Sequence, residues 1–327
     1  MAAASRTLTY AQALNETLSQ LMETDESVIL MGQGVISPWY VGTTTAGLID
    51  RFGDNRVIDT PVSENAITGV ATGAAIAGMR PIVEHPRMDF MHLATDQIVN
   101  QAASWYFMFG YCVNVPLTIW GIINRGGGQA AQHSQALQAI YAHVPGLKVV
   151  MPSTPHDAKG LLVASVYDDN PVLFIDDRWL YRIEGEVPEA LFTEPIGKGA
   201  VRRDGEDVTI IATSYMVHEA LEASRLLEKE KVSAEVIDVR SLKPIDEQLL
   251  LESVARTGKV VVADAGWRTC GFAAEVSALL AEIAFGYLRA PIMRVTLPDV
   301  PAPASSVLEQ DYYPNSASIV QAVKSLL

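Results

Sequence analysis

Apolar segments alternate with helical patterns along the whole chain. Thr9 and Gln12 have the spacing of a capping box and predict a helix that runs to about Met22. Short, continuously apolar runs then recur between segments of helical periodicity, the first at residues 27–32. Strands that are apolar on both faces and separated by helices are typical of a parallel sheet covered on both sides. The pattern therefore predicts an α/β fold.

The same pattern places further elements in both halves of the chain. Strands are predicted at residues 81–84, 117–121, 148–152, 172–176, 207–213, 234–240, 259–265 and 292–297. Helices are predicted after Ser63, over residues 92–109, and from about His218, Asp246, Phe272 and Ser316. The pattern loosens over residues 183–198, where Pro188 and Pro195 lie among acidic residues, and this predicts a linker. We therefore expect a first domain over residues 1–190 and a smaller α/β domain over residues 191–327.

Composition narrows the class of protein. Hydrophobic residues make up 49% of the chain, yet no apolar run approaches the roughly 20 residues that cross a bilayer. The first ten residues also lack the apolar core of a secretory signal, so we expect a cytoplasmic protein without a membrane segment. The formal charge of −14 comes without the basic clusters that bind nucleic acid. Cys112 and Cys270 have no zinc or CxxC spacing and are expected to be reduced thiols.

Glu64 is the most informative acidic residue. It follows Ser63, the predicted helix cap, and the helix dipole favours a carboxylate in this first turn by roughly 0.3–1 kcal/mol. The helix that follows is almost uncharged and rich in glycine and alanine, so we expect it to be buried on all sides. A carboxyl group at its start would then be buried too, and buried carboxyl groups hold a proton more readily than exposed ones. The alternative is a surface acid that only complements the dipole.

Two histidines lie near a flexible loop of three glycines at residues 126–128. His133 follows this loop and precedes a predicted helix, and His143 lies further along. Each is either a general acid or base, or an ordinary half-buried histidine that fills space, and the pattern leaves both alternatives open. The sequence has no Walker loop, HExxH or GxSxG motif, and its GxGxxG pattern is incomplete.

Several of these segments carry a family resemblance that runs in register from about Leu8 to Leu327. The segments are DTPVSE (59–64), GVATGAAIAGMRPIVE (69–84), DQIVNQAA (96–103), AAQHSQ (130–135), PGLKVVMPSTPHDAKGLL (145–162) and DDNPV (168–172). The sequence resembles the beta subunit of the first component of 2-oxo acid dehydrogenases, the pyruvate, branched-chain and acetoin enzymes. It is more distantly similar to transketolase and deoxyxylulose-phosphate synthase. The resemblance implies a parallel-sheet pyrimidine-binding domain followed by a domain like the C-terminal domain of transketolase.

The resemblance also implies thiamine diphosphate as the cofactor. Glu64 matches the glutamate that hydrogen-bonds N1′ of the aminopyrimidine ring, and Phe90 matches the aromatic residue that packs on that ring. His133 matches the histidine that faces the thiazolium and the substrate, so Glu64 and His133 are the expected catalytic residues. Four positions match those that hold a structural potassium ion in the family, and they are Leu117, Ser165, Asp168 and Asn170. In the family the first two bind the ion through their backbone carbonyls.

A partner chain is implied by what the sequence lacks. The diphosphate and its magnesium ion need a GDG…N motif in this superfamily, and only an incomplete version occurs, at residues 53–55. The resemblance therefore implies an alpha subunit that holds this half of the cofactor, in a heterotetramer of two alpha and two beta chains. The helix after Ser63 is then an interface element, or alternatively a core helix, since packing alone also explains its small residues. A lipoyl acyltransferase or another acyl carrier is the implied acceptor.

Three departures from the family pattern lie near the expected site. Gln33 stands where an acid is usual, and Trp120 replaces part of an Arg-Gly-Pro pattern. Arg87 stands where a small or apolar residue is usual, and it either pairs with an anionic substrate group or faces the partner chain. The leading prediction is a subunit that decarboxylates a 2-oxo acid and passes the acyl unit to a lipoyl group. The departures motivate an alternative, a transketolase-like ketol or acyl transferase. A third hypothesis is a non-catalytic scaffold.

Overall fold

The computed structural model describes residues 5–37 and 41–327, in which strands and helices alternate. The strands are β1 (Ser5–Thr9), β2 (Val28–Gly32), β3 (Val57–Asp59), β4 (Arg80–His85), β5 (Thr118–Ile123), β6 (Lys148–Val150), β7 (Val172–Asp177), β8 (Glu184–Pro188), β9 (Ala200–Arg203), β10 (Val208–Ala212), β11 (Ala234–Asp238), β12 (Ser241–Lys243), β13 (Val260–Trp267) and β14 (Met293–Leu297). The α-helices are α1 (Tyr10–Thr24), α2 (Leu48–Phe52), α3 (Glu64–Ile76), α4 (Ala103–Met108), α5 (Gln138–Ala142), α6 (Pro155–Val166), α7 (Met216–Glu228), α8 (Glu247–Thr257), α9 (Phe272–Ile283), α10 (Ser306–Tyr312) and α11 (Ser316–Lys324). Within the described ranges, none of the helices has the length and apolar character needed to cross a membrane.

The chain forms two compact units. The first comprises Met1–Asn124 and Tyr141–Ile196, and the second comprises Arg125–Ile140 and Gly197–Leu327. The second unit therefore includes a segment that the sequence-based division at residue 190 assigns to the first domain. This segment, Arg125–Ile140, belongs to the second unit because its polar groups form hydrogen bonds with residues of that unit, as described below.

A parallel sheet forms the centre of the first unit. Among the described strands of this unit, six lie in the order β6–β7–β5–β4–β2–β3. Their registers place Glu84 beside Trp120 and Ile122 beside Asp176. Strands β2, β5 and β7 are buried along their whole length, as their continuous apolar pattern predicts. The predicted α/β class is confirmed.

Helix α1 begins as its sequence predicts. The Thr9 hydroxyl accepts a hydrogen bond from the backbone N–H of Gln12 at 3.2 Å, and the Gln12 side chain accepts one from the Thr9 N–H at 2.9 Å. The capping box is confirmed, and the helix ends at Thr24, two residues beyond the predicted end.

Two other predictions about local structure hold only in part. The predicted linker at residues 183–198 contains the boundary between the two units, after Ile196, but its first part forms β8, which pairs antiparallel with β1. Only Val187 of this strand is buried, so it lacks the apolar run by which the other strands were recognised. The predicted helix over residues 92–109 is helical without a break as far as Met108, but its hydrogen-bonding pattern changes along the way. It spans the end of a 3-10 helix (Met88–Ala94), a π-helical segment (Gln97–Ala102) and α4.

Helix α3 is covered on one face only. The buried residues recur at helical spacing and are Glu64, Ile67, Thr68, Ala71, Thr72 and Ala75. On the outer face Val70 is 61% exposed, and Gly73 is exposed as well. The expectation that this helix is buried on all sides is therefore wrong for the single chain. Its small side chains permit close packing on every side, but this chain provides neighbours for only one face.

The second unit is built on a second sheet. Its strands lie in the order β14–β13–β10–β11–β9, with β9 antiparallel to β11 and the other neighbours parallel. Apolar residues from these strands and from α7 and α11 form one core, which includes Val208, Ile210, Val261, Leu227, Ile319 and Val323. The predicted second α/β assembly is confirmed in class.

Candidate active site

Polar side chains gather at the carboxyl edge of the sheet in the first unit. Strand β4 ends with Glu84 and His85, and β7 ends with Asp176 and Asp177. Helix α3 begins beside this edge, because it follows the parallel strand β3 along the chain. The carboxyl edge of a parallel sheet is where α/β proteins bind their ligands, so these strand ends form the candidate ligand-binding edge.

Glu64 is the first residue of α3, and only 6% of its surface is exposed. Its predicted burial is confirmed. Its carbonyl oxygen accepts a hydrogen bond from the Thr68 hydroxyl at 2.8 Å. No residue within the described ranges hydrogen-bonds or pairs with its carboxyl group. Glu64 lies at the start of a partly covered helix with its carboxyl group unpartnered among these residues, so it suits a ligand that offers a hydrogen-bonding ring nitrogen.

His85 lies under the first turn of α3, where its Nε2 atom is 3.2 Å from the Thr68 hydroxyl oxygen. The ring is fully buried, and burial lowers its pKa to about 4. The imidazole is therefore neutral at pH 7. Since the Thr68 hydroxyl donates to the Glu64 carbonyl, we assign the ring proton to Nε2, which donates to Thr68. The sequence had given no reason to single out His85.

A second pair of carboxyl groups lies on the same edge, fully buried. Burial raises the pKa of Glu84 well above its ordinary value, and the nearby Asp176 raises it further. Burial also raises the pKa of Asp176 to about 7, while the Tyr181 hydroxyl, which donates to its Oδ2 atom at 3.2 Å, opposes the rise. The Glu84 carboxyl oxygens have no hydrogen-bond partner in the described part of the chain. Burial and the Asp176 charge both disfavour ionisation of Glu84, so this edge retains a proton near neutral pH.

Two arginines supply positive charge beside this pair. Arg178 and Arg87 both lower the pKa of Glu84, against the larger effect of burial. The pKa of Arg87 is itself lowered, by burial and by the charge of Arg178. Arg87 thus has a role that the sequence did not suggest, as a counter-charge to Glu84. Its two predicted roles, toward a substrate or toward a partner chain, stay predictions.

Sequence reasoning missed the Glu84–Asp176 pair, although a signal was present. Each acid lies near the end of a continuously apolar strand, in RPIVEH and in VLFIDD. Because the ends of parallel strands meet at one edge, two such acids on strands that share a neighbour lie close together. The order β7–β5–β4, which makes them near neighbours, could not be read from the sequence.

The other expected residues of the first unit lie around the same elements. Phe90 is half-buried in the 3-10 helix that follows β4. Gln33 lies in the turn after β2, and Trp120 is fully buried in β5. Gly32 ends β2 so close to β4 that an added Cβ atom would lie 2.5 Å from the Glu84 carbonyl oxygen. The polar edge therefore depends on a glycine at this position.

His133 lies in the second unit and is half-buried there. The loop that carries it is bonded within that unit. The N–H of Gly128 donates to the Glu309 carboxylate at 3.0 Å, and the Gln138 side chain donates to buried Asp264 at 2.8 Å. All three glycines at residues 126–128 have positive φ, which explains the glycine run. His143 is exposed on the surface.

The four expected potassium residues lie near one another in the first unit. The Leu117 carbonyl accepts from Val172 at 3.0 Å, and Ser165 is buried on α6. Asp168 forms an ion pair with Lys148, and the Asn170 N–H donates to Asp168 at 2.9 Å. The buried Asn170 Oδ1 atom has no hydrogen-bond partner among the described residues, so it can accept a cation. The Lys148 ammonium group already neutralises Asp168, which weakens the fit.

The comparisons with known proteins place the chain in a family. Residues 6–184 match the transketolase pyrimidine binding domain, and residues 197–319 match the transketolase C-terminal domain. The chain therefore belongs to the transketolase-type family with these two domains. Within it, the chain belongs with the beta subunits of the first components of 2-oxo acid dehydrogenases, as its curated relatives show.

Three of these relatives illustrate the likeness. An acetoin:2,6-dichlorophenolindophenol oxidoreductase subunit beta from Cupriavidus necator is 44% identical over 99% of this chain and 98% of its own length. A 2-oxoisovalerate dehydrogenase subunit beta from Bacillus subtilis is 40% identical, and a pyruvate dehydrogenase E1 component subunit beta from Rickettsia felis is 39% identical. Both of these alignments cover 98% of each chain. A solved structure titled as an inactive beta4 tetramer of a split gene transketolase shares the fold, with a TM-score of 0.81, 24% identity and 98% coverage of both chains.

Proposed function

We propose that this chain is the beta subunit of a thiamine-diphosphate enzyme that decarboxylates a 2-oxo acid and passes the acyl unit to an acceptor. The observation that carries the proposal is the buried, internally unpartnered carboxyl group of Glu64 at the carboxyl edge of the sheet. Its position agrees with the pyrimidine-binding family match, which spans residues 6–184. The cytoplasmic location predicted from the sequence stays a prediction.

The residues of this chain would prepare the cofactor rather than react themselves. Glu64 would hydrogen-bond the aminopyrimidine nitrogen N1′, and Phe90 would pack against that ring. When bound, thiamine diphosphate supplies a nucleophilic carbon and an electron sink for the cleavage of the bond next to a carbonyl group. His133 would stabilise or transfer a proton on the reacting group, a role typically worth about 10²–10⁴-fold in rate.

A partner chain would complete the site. The sequence lacks the motif that holds the diphosphate and magnesium, so an alpha subunit would supply both, in a heterotetramer of two alpha and two beta chains. The open outer face of α3 and the exposed apolar residues around α4 support this assembly. Phe107 is 71% exposed, and Leu93, Met108 and Tyr111 are more than half exposed. Apolar patches of this kind mark protein contacts, which favours α3 as an interface element over a core helix.

The two ions that the resemblance implies, magnesium and potassium, would be held by different chains. Magnesium would be held mainly by the partner chain. Potassium would be held in this chain by Leu117, Ser165, Asp168 and Asn170, and the unpartnered Asn170 oxygen supports it. The lysine beside Asp168 makes potassium the weaker of the two assignments.

The names of the relatives favour a second candidate substrate class. Two relatives, at 44% and 40% identity, are named for acetoin, an uncharged hydroxyketone, rather than for a 2-oxo acid. We therefore propose cleavage of a hydroxyketone, with transfer of the ketol or acyl unit, as the alternative to decarboxylation. A lipoyl acyltransferase or another acyl carrier would receive the unit in either reaction.

An assay of the assembled enzyme would test both candidates. The chain is co-purified with an alpha-type chain that carries a GDG…N motif, and thiamine diphosphate and magnesium are added. Carbon dioxide release from a panel of 2-oxo acids is compared with acetoin cleavage, with dichlorophenolindophenol or a lipoyl domain as acceptor. Turnover of a 2-oxo acid supports the first candidate, and turnover of acetoin alone supports the second. An assembly that binds thiamine diphosphate but turns over neither class would favour the scaffold hypothesis.

A further inference from the structure

Three metal-ligating side chains converge in the first unit, outside the residues assigned to the candidate active site. The Nδ1 atom of His156 lies 3.7 Å from Oδ1 of Asp157 and 3.7 Å from Oε1 of Glu194. One ligand atom from each residue lies within 4.8 Å of the other two. His156 and Asp157 come from the first turn of α6, and Glu194 comes from the segment after β8. Neither the family resemblance nor the proposed function gives this cluster a role.

Neighbouring side chains hold two of these ligands in place. The Thr154 hydroxyl donates to Oδ2 of Asp157 at 2.8 Å, which leaves Oδ1 on the side of His156. The Asp157 side chain is only 1% exposed. The Phe192 ring packs on the imidazole of His156, with ring centroids 4.6 Å apart. Supporting contacts of this kind orient the ligands of metal sites.

The third ligand reaches the cluster because residue 160 is a glycine. An added Cβ atom at Gly160 would lie 2.6 Å from Cγ of Glu194 and 2.7 Å from the Phe192 ring. The Gly160 carbonyl accepts a hydrogen bond from the Glu194 N–H at 3.0 Å. The segment that carries Glu194 is therefore fixed against α6, and its carboxylate is delivered to His156 by close packing rather than by a flexible surface loop.

We propose that His156, Asp157 and Glu194 bind one divalent transition-metal ion, with zinc as the best match. One imidazole and two carboxylates are suitable zinc ligands, at about 2.0–2.1 Å for nitrogen and 2.0–2.2 Å for oxygen. Tetrahedral bonds of these lengths separate nitrogen from oxygen by about 3.3 Å, so each 3.7 Å distance must close by about 0.4 Å. The imidazole side chain is 41% exposed, which leaves room for a water molecule as fourth ligand and a path for the ion. The ion would fasten the segment after β8 to α6.

Cobalt titration of the full chain tests this site. Co²⁺ is added to the protein freed of metals by a chelator, and the visible absorption of bound Co²⁺ is followed; Zn²⁺ is then added in competition. We expect one equivalent of Co²⁺ with a tetrahedral spectrum, its displacement by Zn²⁺, and a higher Tm with metal than without. A spectrum of six-coordinate, weakly held Co²⁺, or the absence of any change in Tm, would overturn the proposal.

Three variants separate this site from other metal-binding groups. His156→Gln and Glu194→Gln each remove one ligand from the exposed side of the cluster. Each should weaken Co²⁺ binding by more than the roughly 10–100-fold that loss of an outer contact costs. His143→Gln removes an exposed histidine outside the cluster and should bind Co²⁺ like the parent chain. If His156→Gln folds and binds as tightly as the parent, the three residues form only an ion-pair cluster, and the proposal is wrong.

Discussion

Two groups of acids lie at the same edge of the first sheet, and they differ in how they are buried. Glu64 begins a helix, keeps 6% of its surface exposed, and has no internal partner among the described residues. Glu84 and Asp176 end strands, are fully buried, and lie within the electrostatic reach of Arg178. Glu64 is thus placed to meet a ligand from outside the chain, whereas the strand-end pair is enclosed by the chain itself.

The difference separates two uses of a buried acid. A helix start leaves its first residue at the rim of the fold, where its side chain can reach a ligand. Glu84 and Asp176 are fully buried within this chain, so their ionisation is disfavoured unless internal charges such as Arg178 offset the cost. We infer that Glu64 serves the reaction and that the Glu84–Asp176 pair serves the stability and pH response of the sheet edge.

The substitution Glu64→Gln should have the largest effect on activity. Glutamine keeps the shape of the side chain but cannot supply a carboxyl proton to the ring nitrogen, so kcat should fall about 10²–10⁴-fold. Turnover is measured on the assembled enzyme with saturating thiamine diphosphate. Glu26→Gln, on an exposed turn, is the control and should keep full activity. If Glu64→Gln retains most of the rate, Glu64 is not the residue that activates the cofactor.

The second-largest expected effect is on stability, and the variant Asp176→Asn tests it. The folded pKa is about 7 and the ordinary value is 3.8, so the folded chain holds this proton between these values while the unfolded chain does not. The parent chain should therefore lose stability as pH rises, by about 3 kcal/mol between pH 5 and pH 8. Asparagine cannot ionise, so the stability of the variant should change much less than that of the parent between pH 5 and pH 8. Denaturant unfolding at a series of pH values measures it, with Asp54→Asn, which is exposed, as control.

Whether the sequence could predict each of these features depends on whether the interactions behind it are local in the chain or join distant segments. The capping box at Thr9 followed from a local pattern. Glu64 is buried as predicted, but the pattern behind that prediction holds only in part, since the Ser63 side chain makes no capping hydrogen bond and α3 is covered on one face. The Glu84–Asp176 pair depends on which strands lie side by side, and the chain's local pattern does not contain that information. The polar strand β8 was missed for the same reason, since it is defined by its pairing with β1.

The candidate site shows the same limit. The resemblance supplied Glu64, Phe90 and His133, and their roles stay predictions that the variants can test. His85 was overlooked because an isolated histidine in an apolar strand usually only fills space. Its contact with Thr68, one turn into α3, appears only when β4 and α3 are packed together.

His85→Gln should remove a pH dependence of stability that runs in the opposite direction to that of Asp176, because His85 destabilises the folded chain as pH falls. Burial lowers the pKa of His85 from 6.5 to about 4, so the unfolded chain binds a proton in this range that the folded chain does not. The parent should lose about 2 kcal/mol of stability as pH falls from 7 to 5, and the glutamine variant should be spared this loss. The measurement is denaturant unfolding at the two pH values. An equal loss in both proteins would show that His85 is not the responsible group. His143→Gln, at an exposed histidine, should behave like the parent.

The smallest expected effect concerns the contact between Thr68, in the helix that carries Glu64, and His85, at the buried end of β4. Thr68→Val removes the hydroxyl that bonds both the Glu64 carbonyl and His85, and it leaves a buried ring nitrogen unpaired, at a cost of about 1 kcal/mol. Thr72→Val, one turn later, is a matched control, because the Thr72 hydroxyl makes the same kind of bond to a helix carbonyl and is likewise buried.

The two threonine variants should differ in stability by roughly 1 kcal/mol, since only Thr68 pairs with a histidine. The excess loss in Thr68→Val should disappear when His85 is also replaced by glutamine, as a double-mutant cycle would show. If the two valine variants are equally stable, the Thr68–His85 contact contributes nothing. The helix start would then be held by its packing alone, and the neutral histidine would have no part in positioning Glu64.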